Sequence, residues 1–418
     1  MLKKISFLVA AVLALVWLGM EAPKEPPTVR ITAVGWNIAA ASFEEQARLF
    51  EKLHPNIKVD VRYVDQDYTR IMPRLAAGTE VPDVMMVHNR DLITFVHKYP
   101  GMLRDITTEV TPIKDNFVAA AWDAVTVDGH IYGIPTDLGP AALFYREDLW
   151  RAADLDPQSI ETWDDLIRAG KKLSRHFHAK VTMLGMCEDT DFYDQILNEL
   201  GGNYVSPDDR TIVINSFEAK QAMHIVQRML EEGTLKNVKD WDGLMAAIEQ
   251  GEIAAVAYGV WFAGTLSYAA PEQRGKWKVM PLPAITRGGS HAANSGGSVA
   301  VLANHSRHPQ EAWEFLHFCL NTPEGELAQL RLGLFPAYKP LYHTPEFEAV
   351  DPFIGLSVNK RFAQDLDKLK PLRRGPITLD YGRAIREMMA TVVAGGDPDS
   401  ALDKAAADIA TVTGLAVQ

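Results

Sequence analysis

Cysteine is nearly absent: Cys187 and Cys319 are the only two in 418 residues. Two distant cysteines make neither a disulfide framework nor a zinc-binding spacing. A single bridge between them stays open at this level, although Cys319 lies in an apolar helical pattern that suits a core position. Runs of Lys or Arg are missing, and the formal net charge is −12, which leaves no electrostatic basis for nucleic-acid binding. No apolar run reaches the roughly 20 residues needed to span a bilayer as a helix. There is no G-x-x-x-x-G-K-[ST] phosphate loop, so the chain is not an ATPase of that type, and no G-x-S-x-G or H-E-x-x-H motif. A secreted glycoside hydrolase built on two carboxylates remains the competing enzyme class, because 54 acidic residues always permit such a pair. Internal repeats and low-complexity tracts are absent as well.

What is present begins with a compartment signal. Lys3 and Lys4 precede the apolar run Ile5 to Leu18, and Pro23, Pro26 and Pro27 follow it. Residues 1–22 therefore read as a signal peptide or anchor. Trp17-Leu18-Gly19-Met20 has the outline of a lipoprotein box with Met20 in place of the acylated Cys. Cleavage, retention and lipidation all stay open. The remaining chain, roughly 395 residues, is long for one core and favours two domains.

Thr28 to Gly35 is β-branched and alternating, which predicts a strand. Ser42 is placed to cap a helix over Phe43 to His54. Ile57 to Tyr63 reads as a strand, Tyr68 to Ala77 as a helix, and Val84 to Val87 as a buried strand. This order predicts βαβ units and a parallel sheet with helices on both faces. Residues 128–145, DGHIYGIPTDLGPAALFY, predict a short strand, a break at Gly139-Pro140 and a second strand. A segment of that kind suits a chain crossing between two lobes.

The same grammar then resumes. Thr162 with Asp165 forms a capping-box pattern. Strands are expected at Val181–Met186, Ile253–Tyr258, Trp277–Leu282 and Val299–Leu302. Helices are expected at Phe192–Leu200, Phe217–Glu232, Pro309–Leu320, Arg383–Val393 and Ala401–Val412.

An ordered series of segments carries a family resemblance. FEEQARLFEKLHPNIKVDV, RLAAGTEVPDVMMVH, DGHIYGIPTDLGPAALFYREDLW, ETWDDLIRAGKKL, GEIAAVAYGVWFAG, EAWEFLHFCLNTPEGE and GLFPAY occur in that order. The chain resembles the extracellular solute-binding proteins of bacterial ABC importers, in the sugar-binding branch typified by maltose-binding protein. The resemblance implies an α/β, two-lobed periplasmic-binding-protein fold of type II. Each lobe would hold a central, mostly parallel sheet flanked by helices, and hinge strands would join the two. Residues 28–139 with 297–335 are expected to form the first lobe, and 140–296 with 336–418 the second. The implied partners are a small carbohydrate and the importer's permease, with a monomeric protein and no enzyme chemistry.

A sugar site needs flat aromatics for ring faces and planar polar groups for hydroxyls. Trp261, after a strand and Gly259, matches a family stacking position; a core Trp is the competing reading. Trp36 and Asn37 follow the first strand at the carboxyl edge, where open α/β sheets bind ligands. His88 and Asn89 occupy the equivalent place after VMMV. Asp137 lies in the crossing segment, with a turn cap as its alternative. Asp191, Tyr193 and Tyr381 (beside Asp380) match positions near family aromatics. Ser295, Gly296 and Gly297 lie at the return crossing, where small residues allow close backbone approach.

Gly139-Pro140 lacks a carboxylate found there in maltose-binding protein, so ligand identity does not transfer. A polyol or glycerol-phosphate ligand is the alternative and would need an Arg such as Arg90. Cys187 to Asp191 lacks the Gly of a calcium loop. The pairs His176/His178 and His305/His308 lack a third ligand. No metal and no cofactor are expected.

Overall fold

The computed structural model describes residues 28–65, 68, 71–79, 81–364, 366–370, 372–375 and 381–418. Residues 1–22, read above as a signal peptide or anchor, and Asp380 lie outside them. Strand β1 (Val29–Gly35) leads into α1 (Asn37–Leu53) and β2 (Ile57–Tyr63). Next come β3 (Val84–His88) and α2 (Asn89–Lys98). Helix α1 starts at Asn37 and not after a Ser42 cap. Ala39-Ala40-Ala41 carries the helix back, because alanine loses no side-chain entropy in it. Ser42 consequently lies buried inside α1, with its hydroxyl unpartnered. The helix expected over 68–77 spans only Met72–Ala77, and Tyr68 takes a φ of 57°.

Strand β4 (Gly133–Arg146) is one unbroken strand with all fourteen residues buried. The expected break at Gly139-Pro140 does not occur. A Cβ at Gly139 would lie 2.1 Å from the Ser295 carbonyl oxygen. Glycine here lets a neighbouring strand come close without interrupting its own. Side chains of β4 alternate, as the strand period requires. Ala142 and Phe144 enter one core, while Ala141, Leu143 and Tyr145 enter the other.

The second half opens with α3 (Trp163–His176). Thr162 caps it by accepting from the Asp165 N–H at 3.2 Å, and the Asp165 carboxylate accepts from the Thr162 N–H at 3.0 Å. Then follow β5 (Leu184–Cys187), α4 (Asp191–Glu199), α5 (Phe217–Glu231), β6 (Leu235–Val238) and α6 (Trp241–Glu249). Strand β7 (Ala255–Gly259), α7 (Phe262–Ala269) and β8 (Trp277–Met280) come next. The return crossing is β9 (Asn294–Leu302), followed by α8 (Pro309–Asn321), α9 (Pro323–Leu330) and β10 (Phe335–Pro336). Helices α10 (Gly382–Val393) and α11 (Pro398–Thr413) complete the second core.

Ten strands form a sheet in the order β2-β1-β3-β9-β4-β7-β5-β6, with β8 and β10 paired to β4. Strands β2, β1 and β3 are mutually parallel, and so are β7, β5 and β6. The long strands β9 and β4 run antiparallel to their neighbours. Two parallel α/β halves are thus joined through the two crossing strands, the two-lobed architecture expected from the resemblance. Cys187 and Cys319 are both buried free thiols, so no bridge forms between them.

Candidate functional site

The carboxyl ends of β3 and β5 belong to opposite halves, yet their following helices meet. Arg90, in the first turn of α2, places Nη1 3.6 Å from Oδ1 of Asp191 at the start of α4. Both side chains stay partly solvent-exposed. Behind Asp191 lies a buried ion pair between Arg374 and Asp194. Asp194 also accepts the Tyr204 hydroxyl at 2.6 Å and the Thr190 hydroxyl at 2.9 Å. The guanidinium lies 4.8 Å from the Tyr204 ring centroid. Burial works against charge on Arg374, and Asp194, Tyr204, Tyr381 and Asp191 together more than offset it, so the guanidinium stays ionised. Asp189 accepts the Asp191 N–H at 2.9 Å. Its carboxyl is pushed up to about 7, by desolvation first and by the Asp191 charge second.

On the first-half side, Trp36 stacks on His88 with ring centroids 4.0 Å apart. Trp36 is 6% exposed, so most of its surface is spent on the protein itself. Burial holds His88 well below its usual range and keeps it neutral. Its backbone N–H donates to the Tyr68 hydroxyl at 2.8 Å. Asn37 is exposed in the first turn of α1. Asn89 is half-buried, and its Oδ1 is buried without a partner.

On the second-half side, Trp261 follows β7 and is half-buried. Its Nε1 donates to the Ser295 carbonyl at 2.8 Å. Trp241 stacks beside it, with centroids 6.2 Å apart and planes 30° from parallel, and is 38% exposed. Tyr258 and Phe262 stack on each other at 4.7 Å and close the cluster.

Trp241 is absent from the sequence-based candidates. It follows a strand, like the residues that were chosen, but Leu235-Lys236-Asn237-Val238 is too polar to read as one. Asp240 caps the helix there, accepting from the Gly243 N–H at 3.0 Å.

Three candidates lie inside the protein and not on the facing surfaces. Asp137 is 4% exposed in the middle of β4, accepts the Ser298 hydroxyl, and is pushed up to about 6 by burial. Tyr193 has no exposed surface and an unpartnered hydroxyl. Two residues along a helix is about 200° of rotation, so Tyr193 turns into the core when Asp191 faces out. Tyr381 is 2% exposed, stacks on Tyr204, and its hydroxyl donates to the Arg374 carbonyl. Ser295 is buried with its carbonyl occupied, and Gly296 beside it is exposed. Among the described residues, no group of three or more His, Cys, Asp or Glu is placed to hold a metal.

The arrangement offers aromatic faces, carboxylates and an amide where two halves meet. Comparison with known proteins follows the same lines. The arabinooligosaccharide-binding protein of Bacillus subtilis (strain 168) is 26% identical over 294 residues, covering 68% of this chain and 67% of that protein. The lactose-binding protein of Rhizobium radiobacter is 25% identical over 396 residues, covering 89% and 91%. Among solved structures, the ABC transporter associated binding protein from B. animalis subsp. lactis Bl-04, in complex with beta-1,6-galactobiose, superposes with a TM-score of 0.81. It is 25% identical and covers 94% of this chain and all of that one. The sequence signature described as bacterial extracellular solute-binding protein matches residues 36–326. That match runs from the end of β1 through both crossing strands into α9, so the chain belongs to the family of bacterial extracellular solute-binding proteins.

Proposed function

We propose that this protein is the extracytoplasmic substrate-binding component of an ABC carbohydrate importer. It would close on a sugar or oligosaccharide between its lobes and deliver it to the permease. The observation that carries the reading is the Trp241–Trp261 platform on the second half together with the Arg90–Asp191 contact that brings the two halves together. Flat rings suit sugar faces, and carboxylates suit paired hydroxyls. The relatives named for arabinooligosaccharide and lactose support the ligand class. A leader at residues 1–22 supports export, and no described helix is long and apolar enough to cross a membrane. No enzyme activity, cofactor or metal is invoked, and the protein is taken to act as a monomer.

A phosphorylated ligand is disfavoured by the local charges. Arg90 faces Asp191, and Arg374 is paired with Asp194. An incoming phosphate would have to displace a carboxylate from either arginine. A thermal-shift screen of neutral mono- and oligosaccharides beside glycerol phosphate tests the ligand class. A bound ligand raises the melting temperature by mass action. A shift is expected with a neutral saccharide; a shift with glycerol phosphate alone would overturn the reading.

The Arg90–Asp191 pair bridges the halves but is solvent-exposed on both sides. Such pairs are worth about 1 kcal/mol or less. Arg90→Gln should therefore change saccharide affinity less than about fivefold at low salt, and the difference should shrink toward 1 M salt as the charges are screened. Titration calorimetry at two ionic strengths measures this. A salt-independent loss would make Arg90 a direct ligand contact instead.

A further inference from the structure

The return strand β9 holds two consecutive glycines, Gly296 and Gly297, both at φ 104°. An L side chain rarely adopts that conformation. The pairing of β9 with β4 shifts register between Asn294 and Gly297, so the strand is irregular at this point. Each glycine abuts a different half of the molecule. A Cβ on Gly296 would lie 3.1 Å from Nε1 of Trp261, and one on Gly297 would lie 2.6 Å from Nδ2 of Asn89. Immediately before the pair, the Ser295 carbonyl accepts the Trp261 indole N–H at 2.8 Å. Gly259 completes the cradle, since a Cβ there would fall 2.3 Å from the same indole nitrogen. The Asn89 amide keeps a buried oxygen without a partner.

Taken together, the geometry points to a direct coupling: Ser295, Gly296 and Gly297 are positioning residues that set the spacing between the Trp261 ring and the Asn89 amide. Trp261 is fixed to the second-half side of the glycine pair through its N–H. Asn89 rests against the first-half side. Any change of backbone angle at the two glycines moves one group relative to the other. A ligand that stacks on Trp261 and bonds Asn89 therefore acts directly on the crossing strand. Ser295 and Gly296 enter the site as the frame that holds the ring. This inference rests on the carbohydrate-binding reading and adds how binding and closure are linked.

Two variants and one wild-type control test it, with a saccharide identified by thermal shift as the probe. Trp261→Phe keeps a flat face and loses the N–H donor. Gly297→Ala places a methyl group against Asn89. Affinity is read by titration calorimetry and closure by the radius of gyration in small-angle scattering, with and without saturating saccharide.

Wild type is expected to contract on saturation. Both variants are expected to bind at least tenfold more weakly and, when saturated, to remain more extended than the wild-type complex. A role for Trp261 in stacking alone would weaken binding but leave the saturated dimensions at the wild-type value, and that result would overturn the coupling. If Gly297→Ala does not fold, Trp261→Phe carries the test alone. A wild-type protein that binds no saccharide would instead sink the carbohydrate reading, so the two failures are distinguishable.

Discussion

Raising the pH from 5 to 8 is expected to lower the unfolding free energy of the ligand-free protein by several kcal/mol. Three carboxyls set the direction. Burial pushes Asp137 up to about 6 and Glu199 up to about 8, and lifts Glu326 well above the ordinary carboxylate range. In the unfolded chain these groups titrate near pH ~4. Below that value both states hold the protons, and the stability tied to them is fully present. Above it the unfolded chain releases them while the folded protein keeps them, so stability falls until the pH passes each folded value.

For Asp137 the loss is complete near pH 6, and for Glu199 it continues to about 8. Two groups oppose the trend: His88, held well below its usual range by burial, adds stability as pH rises toward the unfolded histidine value, and Asp165 acts at lower pH. Burial works against its charge, but hydrogen bonds from Thr162 and Glu161 and the charge of Arg287 together hold its carboxyl below the usual value. Its contribution is present above the unfolded value and is lost as pH falls through the folded one. The two carboxyl trends meet near pH ~4, where the stability tied to these groups is greatest.

Glu326 isolates the effect. It has no exposed surface, one oxygen accepts from Gln329, and the other has no partner. Glu326→Gln reproduces the neutral acid in shape. It should raise stability at pH 8 by about 1–3 kcal/mol, the desolvation cost of an ill-matched buried polar group, and leave pH 5 nearly unchanged. Guanidinium midpoints across the range read this out. Parallel profiles for variant and wild type would show that the buried acid is not the source.

Much of the fold is legible in the sequence wherever local chemistry decides the outcome. The Thr162–Asp165 box caps α3, because both halves of the motif lie within four residues. Strand β2 falls on Ile57–Tyr63 as its β-branched pattern predicts. Elsewhere, distant atoms decide. Gly139-Pro140 reads locally as a break, yet the strand continues, because the function of Gly139 is to admit the Ser295 carbonyl from a strand more than 150 residues away.

The positions of the candidate site residues divide in the same manner. The placement of Trp261 and Asn89 just after strands is legible. Tyr193 is not, since helix phase is fixed by which face of α4 the core takes. The meeting of Arg90 with Asp191, and of Trp241 with Trp261, depends on how the two halves pack. No local pattern carries that information.

Replacing Trp261 with alanine is expected to weaken saccharide binding by roughly 3 kcal/mol, about a hundredfold in Kd. The size follows from what the ring does in place. Trp261 is half-buried, so part of it remains accessible, and the hydrogen bond to Ser295 and the packing of Trp241, Tyr258 and Phe262 fix its plane. A ring held rigid beforehand loses little further freedom when a sugar stacks on it, so most of the contact energy appears as affinity. Trp241→Ala should cost less, because that ring is more exposed and lies at the margin of the cluster. Trp36→Ala should act chiefly on folding, since its ring is already stacked on His88. Calorimetric titration of the three variants, with circular dichroism to confirm folding, orders them. The order expected for binding loss is Trp261 above Trp241, with Trp36 showing a lower unfolding midpoint. Unchanged affinity in Trp261→Ala would remove it from the site and leave the Trp241 face as the stacking surface.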